Sequence, residues 1–402
     1  MFSKIQNKSA LLLVIYLCWR DSFFPIPLPQ SAHYLIMGYF AVLAVMKGFK
    51  LAPLSLLFVL TGAISIVLAN PDPTFQSWER WIAFTLLMMA AGPLNCSIGA
   101  MNFRAIVFKY ALLGMVFMSV GSLGAYFTGN GMFYHGTGFF KGLYNHSMTL
   151  GPMAAISSAF TLQLFLTDSV KSRRKWWFVL VVSSTLMCML ASSRTAFVAL
   201  LGAVFVLLWT VYKGRRAKMW GLVATAAIVL TLTMPLWNSF TDGMAHKQSM
   251  QSVEDNSRTE LWLDRIAEWK DSPVFGQGFA AFNLDVIKGG AFNAETGSVE
   301  PGSSWFFVLS SLGGVGFLLL LLLTILPTLN LISRKDIKPD SVAMTALLTS
   351  VIFIIHMLSE GYIISAGGVI CFFAWLTFAV IRKDSINSID LCNKKWISRE
   401  EE

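Results

Sequence analysis

Charge is scarce in this chain: only 13% of its 402 residues are Asp, Glu, Lys or Arg. Soluble domains carry about a quarter, so the shortage excludes a water-soluble enzyme of this size. The five cysteines, Cys18, Cys96, Cys188, Cys371 and Cys392, lie far apart, with no CxxC pair and no Cys/His cluster. That excludes a disulfide framework and a zinc site. No GxxxxGK[ST] loop and no HExxH helix is present either, which removes the usual nucleotide and metalloprotease signatures. No small-residue cleavage site follows the apolar run after Lys4 and Lys8; Arg20 and Pro25 come instead. The first helix therefore reads as retained, not as a removed signal peptide. Internal repeats, heptad arrays and low-complexity tracts are missing. The net charge of +9 is dispersed over loops and forms no stripe, so no nucleic-acid partner is expected.

What the chain does have is apolar surface: 55% hydrophobic residues, 13 Trp and 32 Phe. These come in blocks long enough to cross a bilayer, which takes roughly 17–25 residues. The expected fold is an all-α polytopic integral membrane protein of about twelve transmembrane helices. The candidate spans are 9–25, 33–47, 51–69, 81–98, 105–128, 147–167, 176–192, 194–212, 219–238, 304–330, 342–359 and 362–381. This divides the chain into nine helices over 1–238, a large loop at 239–303, three helices over 304–381 and a tail at 382–402.

Basic loops resist translocation, so Lys and Arg set the orientation. With both termini cytoplasmic, 22 of the 31 basic residues fall inside, including Arg173-Arg174-Lys175, Lys213 to Lys218 and Arg334-Lys335. Nine fall outside: Arg20, Arg80, Lys141, Arg194, Lys247, Arg258, Arg265, Lys270 and Lys288. The two long loops then lie on the outer face, which is the expected functional side.

Two outer segments depart from short loops. One, 129–146, runs from Gly129 through Phe133-Tyr134-His135 to Tyr144-Asn145-His146. The other, 239–303, contains a short amphipathic helix. Ser257 and Glu260 read as its capping box, Leu261, Trp262, Ile266 and Trp269 as its apolar stripe, and Pro273 as its stop. Such a helix lies near the membrane surface, its tryptophans toward lipid or toward the bundle.

Each exported arginine works against the positive-inside rule and so carries information. Arg194 sits in a tight turn between two spans, and Arg258 opens the loop helix, whose N-terminus also favours anions. Two guanidiniums and a helix N-terminus make a diphosphate clamp; the plainer alternative is a snorkelling Arg194 and an Arg258 paired with Glu254 or Asp255. Arg265 shares the helix face of Arg258 and Trp262 and either joins the clamp or is simply solvated. His146, beside Tyr144 at a helix start, is a candidate general base or a structural histidine. His356, one turn before Glu360, stands out as an ionisable pair near a span's end. Gly313-Gly314-Val315-Gly316 lies in an apolar span and reads as close packing.

Ala191-Ser192-Ser193-Arg194-Thr195-Ala196 resembles the SxSR(G/T)A element of the bacterial O-antigen polymerase and ligase superfamily. Asn256-Ser257-Arg258 to Trp262, then Pro273-Val274-Phe275-Gly276-Gln277-Gly278, is similar to that family's R…W…PxxGxG stretch. Ser303-Ser304-Trp305-Phe306 to Gly316 resembles its HNxYL…LGxxG element. The resemblance implies a metal-independent glycosyltransferase, without cofactor, acting on polyprenyl-diphosphate-linked oligosaccharide. It implies that Arg194 and Arg258 contact the diphosphate, and that a flippase, a chain-length regulator and membrane lipid are its partners. Where the family's ligases carry the histidine of HN, this chain has Gly302-Ser303 after Glu300-Pro301. That departure points to a polymerase of O-antigen, capsule or exopolysaccharide over an O-antigen ligase. Glu300 can replace the missing base, or it belongs to a Glu-Pro-Gly turn with no chemistry. Trp262 and Tyr144 are candidates to stack on sugar, against a plain packing role. A lipid-linked oligosaccharide flippase is the remaining alternative, although its usual mid-membrane charges and repeat symmetry are missing.

Overall fold

The computed structural model describes residues 2–22, 30–46, 48–128, 140–222, 224, 255–286, 292–293, 298–334 and 336–382. Helices follow the apolar blocks: α1 (Phe2–Arg20), α2 (Gln30–Met46), α3 (Pro53–Ala69), α4 (Ser77–Ala90), α5 (Ile98–Phe127), α6 (Ser147–Thr167), α7 (Lys171–Leu190) and α8 (Arg194–Val211). After these come the loop helix α9 (Asp255–Asp271), then α10 (Ser304–Ser333), α11 (Val342–His356) and α12 (Val369–Val380). A two-residue antiparallel ladder, Phe292–Asn293 with Ser298–Val299, interrupts the helical pattern. Most of the expected span 219–238 lies outside the described residues, as do the loop residues 129–139 with His135. Helices α5, α6, α8 and α10 are long and apolar enough to cross a membrane, and α2, α3, α11 and α12 are apolar but shorter.

The helices are turned inside out relative to a soluble bundle. Leu12, Leu35, Val67, Phe117 and Trp176 are each more than 60% exposed, while Ser65, Ser119, Ser157 and Thr161 are fully buried. Small hydroxyl residues between helices allow close approach and hydrogen-bond across the contact, as apolar solvent requires. Ser119 donates to Ser157 at 3.3 Å, Ser158 and Thr185 share a 2.7 Å bond, and Thr328 donates to Ser350 at 3.3 Å. Their exposed apolar flanks suit hydrocarbon, and the chain is a membrane protein by this architecture.

The bundle has two distinguishable ends. Gly151 of α6 lies against Ser193 just before α8, so these two helices start side by side. The start of α10 fastens to the end of α11: the Ser304 amide donates to the Met357 and Glu360 carbonyls at 3.0 and 2.9 Å. At the other end, Gln163 near the close of α6 donates to the Pro339 and Ser341 carbonyls ahead of α11.

Helix α10 is broken at Gly313, whose φ of 67° interrupts the helical run. The segment after α9 fills the break. Gly314 donates to the Pro273 carbonyl at 2.8 Å, and Gln277 and Gly278 donate to the Ser310 and Ser311 carbonyls at 2.9 and 3.2 Å. The Gly313–Gly316 run is thus close packing, as its composition predicts, but against loop backbone and not a neighbouring span.

Candidate functional site

A pocket of about 310 Å³ opens at the end of the bundle where α6 begins and α11 closes. Its wall combines His146 and Met148 from the start of α6, Glu300 to Gly302 ahead of α10, His356 at the end of α11, and Glu360 to Tyr362 beyond it. Both candidate catalytic residues, His146 and Glu300, therefore face one cavity although 154 positions separate them in the chain.

Local backbone chemistry sets each of these side chains. His146 is the N-cap of α6, and its Nδ1 accepts the Met148 amide at 3.0 Å. An Nδ1 used as acceptor leaves the ring proton on Nε2, so the neutral imidazole offers a donor there. Glu300 is exposed at the rim. The Pro301-Gly302 turn behind it packs on Gly361 so tightly that a Cβ there would collide with Pro301. His356 is buried and stacks on Tyr362 with ring centroids 5.6 Å apart. The sequence singled out His356 and Glu360 as a pair; their facing His146 is a tertiary fact that no local spacing encodes. Tyr362 and Met148 carried no signal of their own.

The arginines divide. Arg194 is exposed at the first turn of α8. Because Ser193 meets Gly151, five residues into α6, Arg194 lies about 8 Å along the helix axis from His146. Arg258 falls in the first turn of α9, which starts at Asp255; its side chain is outside the description. Ser257 is accordingly within that first turn and does not precede it as a cap. Arg265 is not solvated. Its side chain is fully buried, Nη1 lies 3.0 Å from Glu268 Oε2, and the guanidinium stacks 4.2 Å from the centre of Phe282.

That corrects the reading of α9. Its inward face is Leu261, Arg265 and Glu268, at helical spacing, while Ile266 and Trp269 are half-buried. The helix docks on protein and so can bury an ion pair that lipid would not accept. Burial pushes the Glu268 carboxyl up and the Arg265 guanidinium down, each countered by the other's charge. The Asn283 amide adds a 2.9 Å bond to Glu268 Oε1.

The two sugar-stacking candidates are both engaged by protein. The Trp262 indole donates to the Gly302 carbonyl at 3.3 Å, and its ring lies against Phe306. Trp262 thereby attaches α9 to the pocket's own rim. Tyr144 is buried and forms a bridge with Ser22 after α1. Among the described residues no group of three or more His, Cys, Asp or Glu side chains is placed to hold a metal ion.

No curated protein matches the chain. Residues 178–321, which include Arg194, α9 and the first part of α10 with its break at Gly313, match the family model described as O-Antigen ligase, Wzy_C. Members of that family are glycosyltransferase-like enzymes that act on lipid-linked oligosaccharide in membranes. Over this central third, the chain is similar to the O-antigen polymerase and ligase superfamily.

Proposed function

We propose that the chain polymerises a surface polysaccharide at the periplasmic face of the bacterial inner membrane. It transfers a glycan from polyprenyl diphosphate to the acceptor sugar of a second lipid-linked repeat unit, and needs no metal. The observation behind this reading is the pocket shared by His146 and Glu300 at the end of the bundle where Arg194 is exposed. The acceptor hydroxyl oxygen bonds to the donor's anomeric carbon as the bond from that carbon to the diphosphate breaks. Glu300 takes the hydroxyl proton, and the electron pair leaves with the diphosphate. Arg194 and Arg258 neutralise the charge growing on that leaving group, and the pocket aligns the two reacting atoms. His146, with its proton on Nε2, donates to a sugar or phosphate oxygen and is not the base.

A ligase is the second reading, favoured by the placement of His146 and His356 around Gly302. They bring imidazoles to the position where the HN histidine is missing. Deleting the gene and running surface glycans on a gel separates these readings. A one-repeat band without a ladder is the polymerase outcome. Unattached, lipid-linked polymer is the ligase outcome, and loss of every outer-leaflet repeat unit is the flippase outcome. Purified protein should stay active in excess chelator; activity that returns only with a divalent ion overturns the metal-free mechanism.

A further inference from the structure

At the opposite end of the bundle lies a larger cavity of about 710 Å³, between the ends of α10 and α12 and the start of α3. Leu322, Leu326, Pro327 and Ile381 form its apolar wall, and Arg334, Asp336 and Arg382 stand at its mouth. Asp336 is committed to Arg334, whose Nε reaches it at 3.0 Å, so the second guanidinium leaves the mouth net positive. Arg382 reaches the Pro93 carbonyl at 3.4 Å.

Behind Arg382, and not itself lining the cavity, Arg104 near the start of α5 is 2% exposed. Its Nη2 reaches the Met89 carbonyl at 3.4 Å, and its Nε has no hydrogen-bond partner among the described residues. No carboxylate pairs with it among those residues; the ionisable groups that bear on it are the Cys96 thiol and Arg382, the latter a like charge. Arg104 thus bonds the last turn of α4 and Arg382 the Pro93 carbonyl just beyond it, with Arg382 at the cavity's mouth.

A guanidinium at the mouth of an apolar cavity, with a second buried arginine charge behind it, favours an anion there. We propose that this cavity binds an anionic phospholipid, its phosphate on Arg382 and an acyl chain along Leu322, Leu326 and Pro327, with the buried charge of Arg104 behind Arg382 adding to the positive potential at the mouth. A free phosphate would use Arg382 but leave the leucine wall uncovered, whereas a lipid matches both. The cavity's volume is within the range of small-molecule sites, about 300–1,000 Å³. Basic pockets between transmembrane helices at the cytoplasmic side recognise such headgroups, and the Lys/Arg distribution expects this end to be cytoplasmic. The site is separate from the periplasmic chemistry proposed above.

The test measures phospholipids that co-purify with the full-length protein in mild detergent, by mass spectrometry against the membrane extract. Wild type should hold phosphatidylglycerol or cardiolipin about fivefold enriched over phosphatidylethanolamine, the effect of about 1 kcal/mol per basic side chain near the headgroup. Arg382→Gln should abolish the enrichment. Leu326→Trp, which fills the apolar wall and leaves both arginines intact, should abolish it too. Both variants should elute as folded protein, whereas Arg104→Gln risks the fold and is not needed. Enrichment that is missing in wild type, or unchanged in both variants, overturns the proposal.

Discussion

Gly276 and Gly313 interlock across the junction of the large loop and the broken helix α10, each packed on the backbone just before the other. A Cβ on Gly276 would collide with the Ser311 carbonyl carbon, and one on Gly313 with the Val274 carbonyl oxygen. Both residues also have positive φ, 74° and 67°. Two glycines far apart in sequence therefore form one joint, and that joint holds the loop carrying α9 against the transmembrane bundle. The PxxGxG and LGxxG stretches are its two halves.

Ala at either glycine should loosen that joint. The left-handed backbone alone costs about 1–2 kcal/mol for a residue with a Cβ, and the backbone collision adds to it. Gly276→Ala and Gly313→Ala should lower the unfolding temperature in detergent and expose the loop to protease. Gly124→Ala, where the added methyl meets nothing within 4 Å, should do neither. Equal behaviour of all three variants would mean that the joint contributes nothing to stability.

The ion pair of α9 makes a second test. If Arg265 braces Glu268, Arg265→Met leaves a buried carboxylate uncompensated, at about 3–5 kcal/mol. Replacing both, as Arg265→Met with Glu268→Leu, should recover much of the stability, since the desolvation of two charges vanishes with them. Transferase activity should return with the fold in the double variant. A stable but inactive double variant would instead return Arg265 to the diphosphate.

Much of the bundle was legible in the sequence because hydropathy blocks and helix starts are local. Ser193 caps α8 through the Ala196 amide, one residue before the arginine the motif singles out. The fate of Arg265 was not legible in the same way. A charged residue on a polar loop helix reads as solvated until the helix is known to pack on Phe282 and Asn283. The Arg265–Glu268 spacing of i,i+3 was the available signal. The pocket was legible only as separate parts: His146, Glu300 and the His356–Glu360 pair are local features, and their convergence depends on how α10 and α11 fasten end to end. The role of His146 was not legible for a related reason, since the N-cap bond that sets its tautomer is a geometric fact.

That tautomer separates His146 from Glu300. Glu300→Gln removes the proton acceptor but keeps the shape, and should reduce turnover by about 10²–10⁴ with folding unchanged. His146→Asn retains an N-cap group, so the fold should survive, and turnover should fall by less than in Glu300→Gln. The reverse pattern would make His146 the base.

The arginines provide the strongest test of the chemistry, because charge and fork geometry can be varied separately. If Arg194 and Arg258 hold the diphosphate, Ala at either position should abolish polymer while protein level and membrane insertion stay near normal. Lys should rescue in part, since it keeps the charge and loses the bidentate fork. Removing one contact that strengthens in the transition state should cost about 10²–10³ in rate. Lys247 and Lys288 serve as controls, being expected on the same face but outside any motif; their substitution should change little. Similar losses at all four positions would reduce the effect to general surface potential. A full ladder from Arg194→Ala or Arg258→Ala would remove that residue from the site, and from both would refute the clamp.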